Sequence, residues 1–225
     1  MIVAEGLTVV FGRTVALASI DLAIPPGVVG VFGPNGSGKS TLLRVVAGLL
    51  SPRRGRVTWR GSPVTARAES FRRAVGYAGH AAGLYGRLSV RENLELFATL
   101  CGAPRARVEG LIEAVRLEAV ASTAVADLSA GVRRRAAVAR ALVGEPELLL
   151  LDEPYANLDD DASEAVSDAV RHWRAPGRTA LIATHGAKRL KAWADAGLVL
   201  QGGRVAAWGR YGAEERPSRR GAADG

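Results

Sequence analysis

Gly33, Pro34, Asn35, Gly36, Ser37, Gly38, Lys39, Ser40 and Thr41 constrain this chain more than any other stretch. They fit the phosphate-loop pattern G-x-x-x-x-G-K-[ST]. Its glycines let backbone N–H groups close around phosphate oxygens, its lysine neutralises them, and its hydroxyl holds Mg²⁺. Such a loop needs a strand before it and a helix after it. Val28-Val29-Gly30-Val31-Phe32 is a short, β-branched apolar run, and residues 41–50 have helical apolar spacing that stops before Pro52. A helix opening at the loop aims its free N–H groups and positive dipole end at the phosphates. Motif and context agree, so the chain is expected to bind a nucleoside triphosphate.

The 225 residues suffice for one sizeable α/β unit with a small subdomain and leave little room for two independent domains. A lone cysteine, Cys101, excludes an internal disulfide and gives no metal-ligand cluster, which points to a reducing, cytoplasmic compartment. The formal charge is +8, almost all of the cationic side chains being arginine. This charge fits nucleic acid, an anionic membrane surface or an anionic nucleotide. It equally fits the Arg-, Ala- and Gly-rich usage of a GC-rich genome. No arginine cluster is interleaved with aromatics as in single-strand binders. The N-terminus lacks the features of a signal peptide, and no apolar run reaches the roughly 18 residues of a membrane span. A membrane role is therefore expected to be peripheral, through a separate subunit.

Residues 1–24 alternate apolar and polar around a turn at Phe11-Gly12-Arg13, and predict an antiparallel strand pair. Further strands are predicted at 56–60 and 74–78, the latter running into the polar stretch 79–83. From residue 84 to about 146 the period becomes helical. Ser89-Val90-Arg91-Glu92 has capping-box form, and helices are predicted from there to Gly102, over 108–117 and over 132–143. The apolar runs 147–153 and 178–184 read as strands buried in a parallel sheet, with helices over 162–174 and 187–194 and a hairpin over 198–208. Residues 1–211 form one nucleotide-binding unit with a helical subdomain at about 81–145. Residues 212–225 read as a disordered basic tail.

Two further segments carry chemistry. Asp152 and Glu153 stand at the tip of an apolar strand, where one carboxylate can hold Mg²⁺ beside Ser40 and the next can polarise an attacking water. Leu128-Ser129-Ala130-Gly131 precedes a basic helix with Arg133, Arg134, Arg135 and Arg140. A serine N-cap, small residues and a helix dipole have the form of an anion site.

This ordered set resembles the ATP-binding cassette (ABC) ATPases over nearly the whole chain. The resemblance implies an α/β phosphate-loop fold with a mixed β-sheet core, N-terminal antiparallel strands and a helical subdomain. It implies ATP and Mg²⁺ as ligands. In that family the L-S-G-G-Q signature of one subunit caps the γ-phosphate of ATP held by its partner, so hydrolysis needs a dimer with two composite sites. Ser129, Ala130 and Gly131 occupy signature positions, Phe11 that of the adenine-stacking aromatic, and Asn157-Leu158-Asp159 that of the loop crossing between subunits. Lys39 holds phosphates, Glu153 is the general base and His185 contacts the γ-phosphate. Where the family has a glutamine that touches Mg²⁺ and the attacking water, this chain has His80. An imidazole cannot reproduce the amide's fixed donor-and-acceptor geometry, so its contribution is expected to depend on pH. Ala130 replaces a signature glycine and Val132 the terminal glutamine.

Tyr77-Ala78-Gly79-His80, the 88–94 segment, Leu128-Ser129-Ala130-Gly131 and the compact length together resemble the ATPase of the bacterial haem exporter of cytochrome c maturation. That implies a second copy or a homologous ATPase, integral membrane subunits on separate chains, a peripheral place on the cytoplasmic face of the inner membrane, and no nucleic acid. Three alternatives stay open: a different exporter for drugs, lipids or polysaccharide, a soluble ATPase acting on nucleic acid or ribosomes, and an ATP-gated scaffold.

Overall fold

The computed structural model describes residues 1–65 and 67–211, with backbone alone at 187 and 188. The predicted tail at 212–225 lies outside the described residues. Strands β1 (Ile2–Phe11) and β2 (Thr14–Ile24) form the expected antiparallel pair, burying Ile2, Ala4, Leu7 and Val9 from β1. β3 (Gly27–Phe32) then runs into the phosphate loop and α1 (Lys39–Val46). β4 (Arg54–Trp59) pairs with β1, and β5 (Ser62–Pro63) pairs with β4, giving a four-stranded sheet in the order β2-β1-β4-β5. A short α2 (Glu69–Ala74) leads to β6 (Val75–Ala78). Helices α3 (Val90–Cys101), α4 (Arg107–Ala114) and α5 (Ala130–Leu142) follow before β7 (Leu148–Asp152). The chain ends through α6 (Asp160–Trp173), β8 (Thr179–Ala183), α7 (Ala187–Lys191), β9 (Ala196–Gln201) and β10 (Arg204–Arg210).

The second sheet has the order β10-β9-β3-β8-β7-β6, with β9, β3, β8, β7 and β6 parallel and β10 antiparallel at the edge. It is the mixed core sheet that the resemblance implies. Every residue of β7 and β8 is buried, as continuous apolar runs between two covered faces require. The period of two divides them. Leu149, Leu151, Ala180 and Ile182 join a core with α3, α4, α5 and α6, whereas Leu148, Leu150, Leu181 and Ala183 face α1 and the antiparallel sheet. The layers are thus antiparallel sheet with α1, core sheet, and helices.

The capping box at Ser89 forms as predicted: Ser89 Oγ accepts from Glu92 N at 3.2 Å, and Glu92 Oε2 accepts from Ser89 N at 2.8 Å. Several boundaries differ. α1 stops at Val46 because Ala47 and Gly48, the latter at φ 71°, close it well before Pro52. α2 has no sequence signature because its only buried residue is Phe71, which meets Trp59 edge-on at 6.0 Å. α7 ends at Lys191, short of the predicted 194. An isolated bridge, Ser89 to Ala124, interrupts the segment predicted to lack strand pairing.

Candidate functional site

Parallel strands end together, so the loops after β3, β6, β7 and β8 meet at one edge of the core sheet. Those loops hold the phosphate loop, His80, Glu153 and His185. They surround a cavity of ≈ 760 Å³ lined by Phe11, Thr14, Val15, Ala16, Asn35, Gly36, Ser37, Gly38, Lys39, Ser40, Thr41, His80, Glu153, Ala156 and His185.

The phosphate loop is closed by backbone constraints that only glycine meets. Gly33 sits at φ 145°, and a Cβ there would lie 2.2 Å from the Leu200 carbonyl oxygen and 2.7 Å from Ser37 Oγ. Gly38, at φ 104°, precedes α1 against the Ala16 carbonyl. No side chain caps α1, so its first N–H groups stay available at the loop. Lys39 is buried, and its ammonium donates to the Gly33 and Pro34 carbonyls at 2.7 and 3.1 Å, which holds it across the mouth of the loop. Ser37 Oγ is buried without a hydrogen-bond partner among the described residues.

Asp152 ends β7 behind this cavity at 3 % exposure, and its Oδ1 has no partner among the described residues. Its charge is felt nearby: burial first, and the Asp152 carboxylate second, push the Tyr77 phenol above its ordinary value. A buried carboxylate oxygen with no partner is costly unless something cationic satisfies it. Mg²⁺ fits the residues present, because a hard ion bound with a nucleotide takes one or two carboxylates plus phosphate oxygens. Asp152 and the exposed hydroxyl of Ser40 supply oxygen donors of that kind. Among the described residues no three His, Cys, Asp or Glu side chains form an all-protein cage.

The chain turns sharply after Asp152. Glu153 adopts φ 51°, an unfavourable conformation for a residue with a Cβ, while its N–H extends the ladder to the Ala183 carbonyl at 2.8 Å. The turn presents the Glu153 side chain to the cavity, where Oε2 meets His185 Nδ1 at 3.0 Å. An ionised carboxylate only accepts, so Nδ1 is the donor, and Nε2 has no partner among the described residues. Thr184 N, donating to the Val31 carbonyl at 3.1 Å, fixes the strand end that carries His185.

Not every predicted site residue lies here. Gly33 and Pro34 shape the loop from behind without lining the cavity, whereas Phe11, 46 % exposed, lines it from the end of β1. Ser129, Ala130 and Gly131 are not brought to it at all. Ser129 and Ala130 are exposed at the start of α5, where Ser129 Oγ accepts from Val132 N at 3.3 Å. A Cβ on Gly131 would lie 2.6 Å from the Asn157 carbonyl oxygen, so the glycine permits close approach of the 157–158 turn. Asp159 caps α6, its Oδ1 accepting from Ala162 N at 2.7 Å.

The arginines of this helix do not face the N-terminal turn as free cations. Their guanidiniums are spent on backbone carbonyls: Arg133 on Leu128, Arg134 on Gly79, Arg135 on Val115 and Arg116, and Arg140 on Tyr77. Thr14, Val15, Ala16 and Ala156 are cavity residues that sequence reading missed. Only the position of the first three beside Phe11 in a hairpin could have signalled them.

The sequence profile described as "ABC transporter" matches residues 17–156. Among curated proteins, the chain is 42% identical over 188 residues to the "Cytochrome c biogenesis ATP-binding export protein CcmA" of Cupriavidus necator, covering 82% of this chain and 83% of that one. It is 38% identical over 205 residues to the "Nod factor export ATP-binding protein I" of Cupriavidus pinatubonensis, covering 89% of this chain but 63% of the relative, which is under two thirds of its length. Among solved structures it superposes on the ATP-binding cassette MJ0796, described as a dimeric post-hydrolysis state bound to ADP and Pi, with TM-score 0.85 and 26% identity. The match covers 93% of this chain and 98% of the other.

Proposed function

The chain belongs to the ABC transporter family as an ATP-binding subunit, and from that premise we propose that it hydrolyses ATP with Mg²⁺ in a head-to-tail pair with a second copy. The observation that carries this is the convergence of Lys39, Ser40, Glu153 and His185 on one cavity, with Glu153 and His185 already hydrogen-bonded.

Loop amides and Lys39 hold the phosphates, and Phe11 stacks on the base. Ser40 and Asp152 would hold Mg²⁺, which would supply charge neutralisation at the phosphates. Glu153 takes the proton of the attacking water, its carboxylate oriented by the bond from His185 Nδ1. His185 contacts the terminal phosphate while its Nδ1 stays hydrogen-bonded to Glu153. His80 lines the same cavity and contributes to water and metal placement. Ser129 and Ala130, both exposed, and the half-buried Gly131 do not line the cavity of their own chain and cap the nucleotide held by the second copy.

The membrane partners are integral subunits on separate chains, which place this subunit on the cytoplasmic face of the membrane. No helix among the described residues is long and apolar enough to cross a membrane. For cargo we favour haem in cytochrome c maturation, supported by the CcmA relative that matches over most of both chains. A different exporter is the second reading, favoured by the Nod factor export relatives at 34% to 38% identity. Purification of the tagged chain from membranes tests both. Haem-handling integral subunits are expected beside it, together with Mg²⁺-dependent phosphate release from ATP, and an unrelated permease would contradict the haem assignment.

A further inference from the structure

Arg134, in the first turns of α5, is 8 % exposed. Three main-chain carbonyls receive its guanidinium: Nη1 donates to Gly79 at 2.7 Å and to Asp152 at 3.4 Å, and Nη2 donates to His80 at 3.3 Å. Among the described residues no carboxylate forms an ion pair with it. A buried guanidinium is costly unless its donors are satisfied, so this one is tolerable only while those carbonyls keep their places. Because the fork is planar and rigid, it fixes the three acceptors relative to one another as well as to α5. α5 itself lies hard against β6: a Cβ on Gly76 would sit 2.1 Å from the Ala141 carbonyl oxygen. Farther along, Arg140 donates to the Tyr77 carbonyl at 2.6 Å.

The helix that begins at exposed Ser129 is thus bolted to the main chain of His80 and Asp152. Asp152 ends β7 and His80 follows β6 by two residues, both beside the hydrolytic groups. We propose that Arg134 is a positioning residue for hydrolysis, transmitting displacement of the α5 N-terminus to the backbone at His80 and Asp152 as one movement. The proposal rests on the ATP-hydrolysis reading, but its structural basis is a buried contact that Glu153 and His185 do not share.

The test is Arg134→Lys in the full chain, which keeps the charge and stem but replaces the fork by a point donor. The expected result is turnover lower by about 10–100-fold, as small misplacements of reacting groups produce, with ATP affinity and thermal midpoint close to wild type. Amide exchange over residues 79–83 should accelerate. Methylguanidinium added to Arg134→Ala should restore part of the lost turnover together with slow exchange over 79–83, at a concentration that leaves the thermal midpoint unchanged. Wild-type turnover in Arg134→Lys would overturn the proposal. So would a loss of turnover that merely follows loss of ATP binding and stability, without selective exchange at 79–83. Failure of the unaltered protein to hydrolyse ATP would instead refute the hydrolysis reading. The exchange measurement would then still decide whether Arg134 holds the 79–83 backbone.

Discussion

The phosphate loop and the Ser129 segment are both glycine-containing turns that open a helix, yet they are built differently. At the phosphate loop, no side chain caps α1, Lys39 folds across the mouth, and a closed wall of β1, β2 and the strand ends completes a cavity. At Ser129 the hydroxyl caps α5, the following residue is exposed, and the arginines behind it point inward to carbonyls. One segment is a site within its own chain, and the other is a surface backed by a rigid helix. The difference teaches that a helix N-terminus alone does not make an anion site. What surrounds it decides, and in the proposed reading Ser129 and Ala130 are covered by a second copy.

Substitutions should separate the two regions in a definite order. The largest effect is expected from Glu153→Gln, which should reduce steady-state phosphate release by roughly 10²–10⁴-fold while ATP stays bound, because only proton transfer is lost. Equilibrium binding of a fluorescent ATP analogue beside a phosphate assay reads both quantities. Ser129→Arg places a long cation on the exposed segment. It should cut turnover by about 100-fold through misplacement of the second half-site, with ATP affinity of the isolated chain unchanged. If ATP affinity of the isolated chain falls as well, the two regions are not separate.

Gly131→Ala drives a Cβ to 2.6 Å from the Asn157 carbonyl oxygen. Backbone displacement of that kind should cost about 1–3 kcal/mol in urea denaturation, and cost turnover too by shifting the 157–158 turn. The smallest effect concerns the Ser89 capping box, remote from both regions. Hydrogen bonds from the Ser89 backbone N–H, and then from its hydroxyl, hold the Glu92 carboxyl below the usual carboxylate range. A depressed folded-state value means that the stabilisation is complete above the ordinary glutamate range and is lost as pH falls through the folded value. Glu92→Gln should therefore narrow the stability difference between neutral and acidic pH, leaving turnover at neutral pH intact.

The phosphate loop, the strand bearing Asp152 and Glu153, and the capping box were legible because each is local. Spacing, apolar runs and short-range hydrogen bonding lie within a few residues of each other. The buried parallel strands followed from the same runs, whereas the mixed sheet was implied by the resemblance. What escaped depends on partners distant in sequence. α2 is anchored by Phe71 against Trp59, and no period within Glu69–Ala74 reveals it. The requirement for glycine at 33 comes from the Leu200 carbonyl, far along the chain. Arg134, Arg135 and Arg140 donate to carbonyls of other segments, so the sequence could not show where these guanidiniums are spent. His185 was assigned to phosphate by resemblance. Its bond to Glu153, which orients the carboxylate, appears only in three dimensions.

The claim that Ser129 to Gly131 are completed by a second copy is tested most directly by the mass of Glu153→Gln in solution with ATP. Sedimentation equilibrium should give the 23.5 kDa monomer without nucleotide and twice that mass with saturating ATP. Adding Ser129→Arg to the same chain should return the mass to the monomer although ATP remains bound. A monomeric mass for Glu153→Gln with ATP demonstrably bound, both alone and with its membrane subunits, would contradict the account.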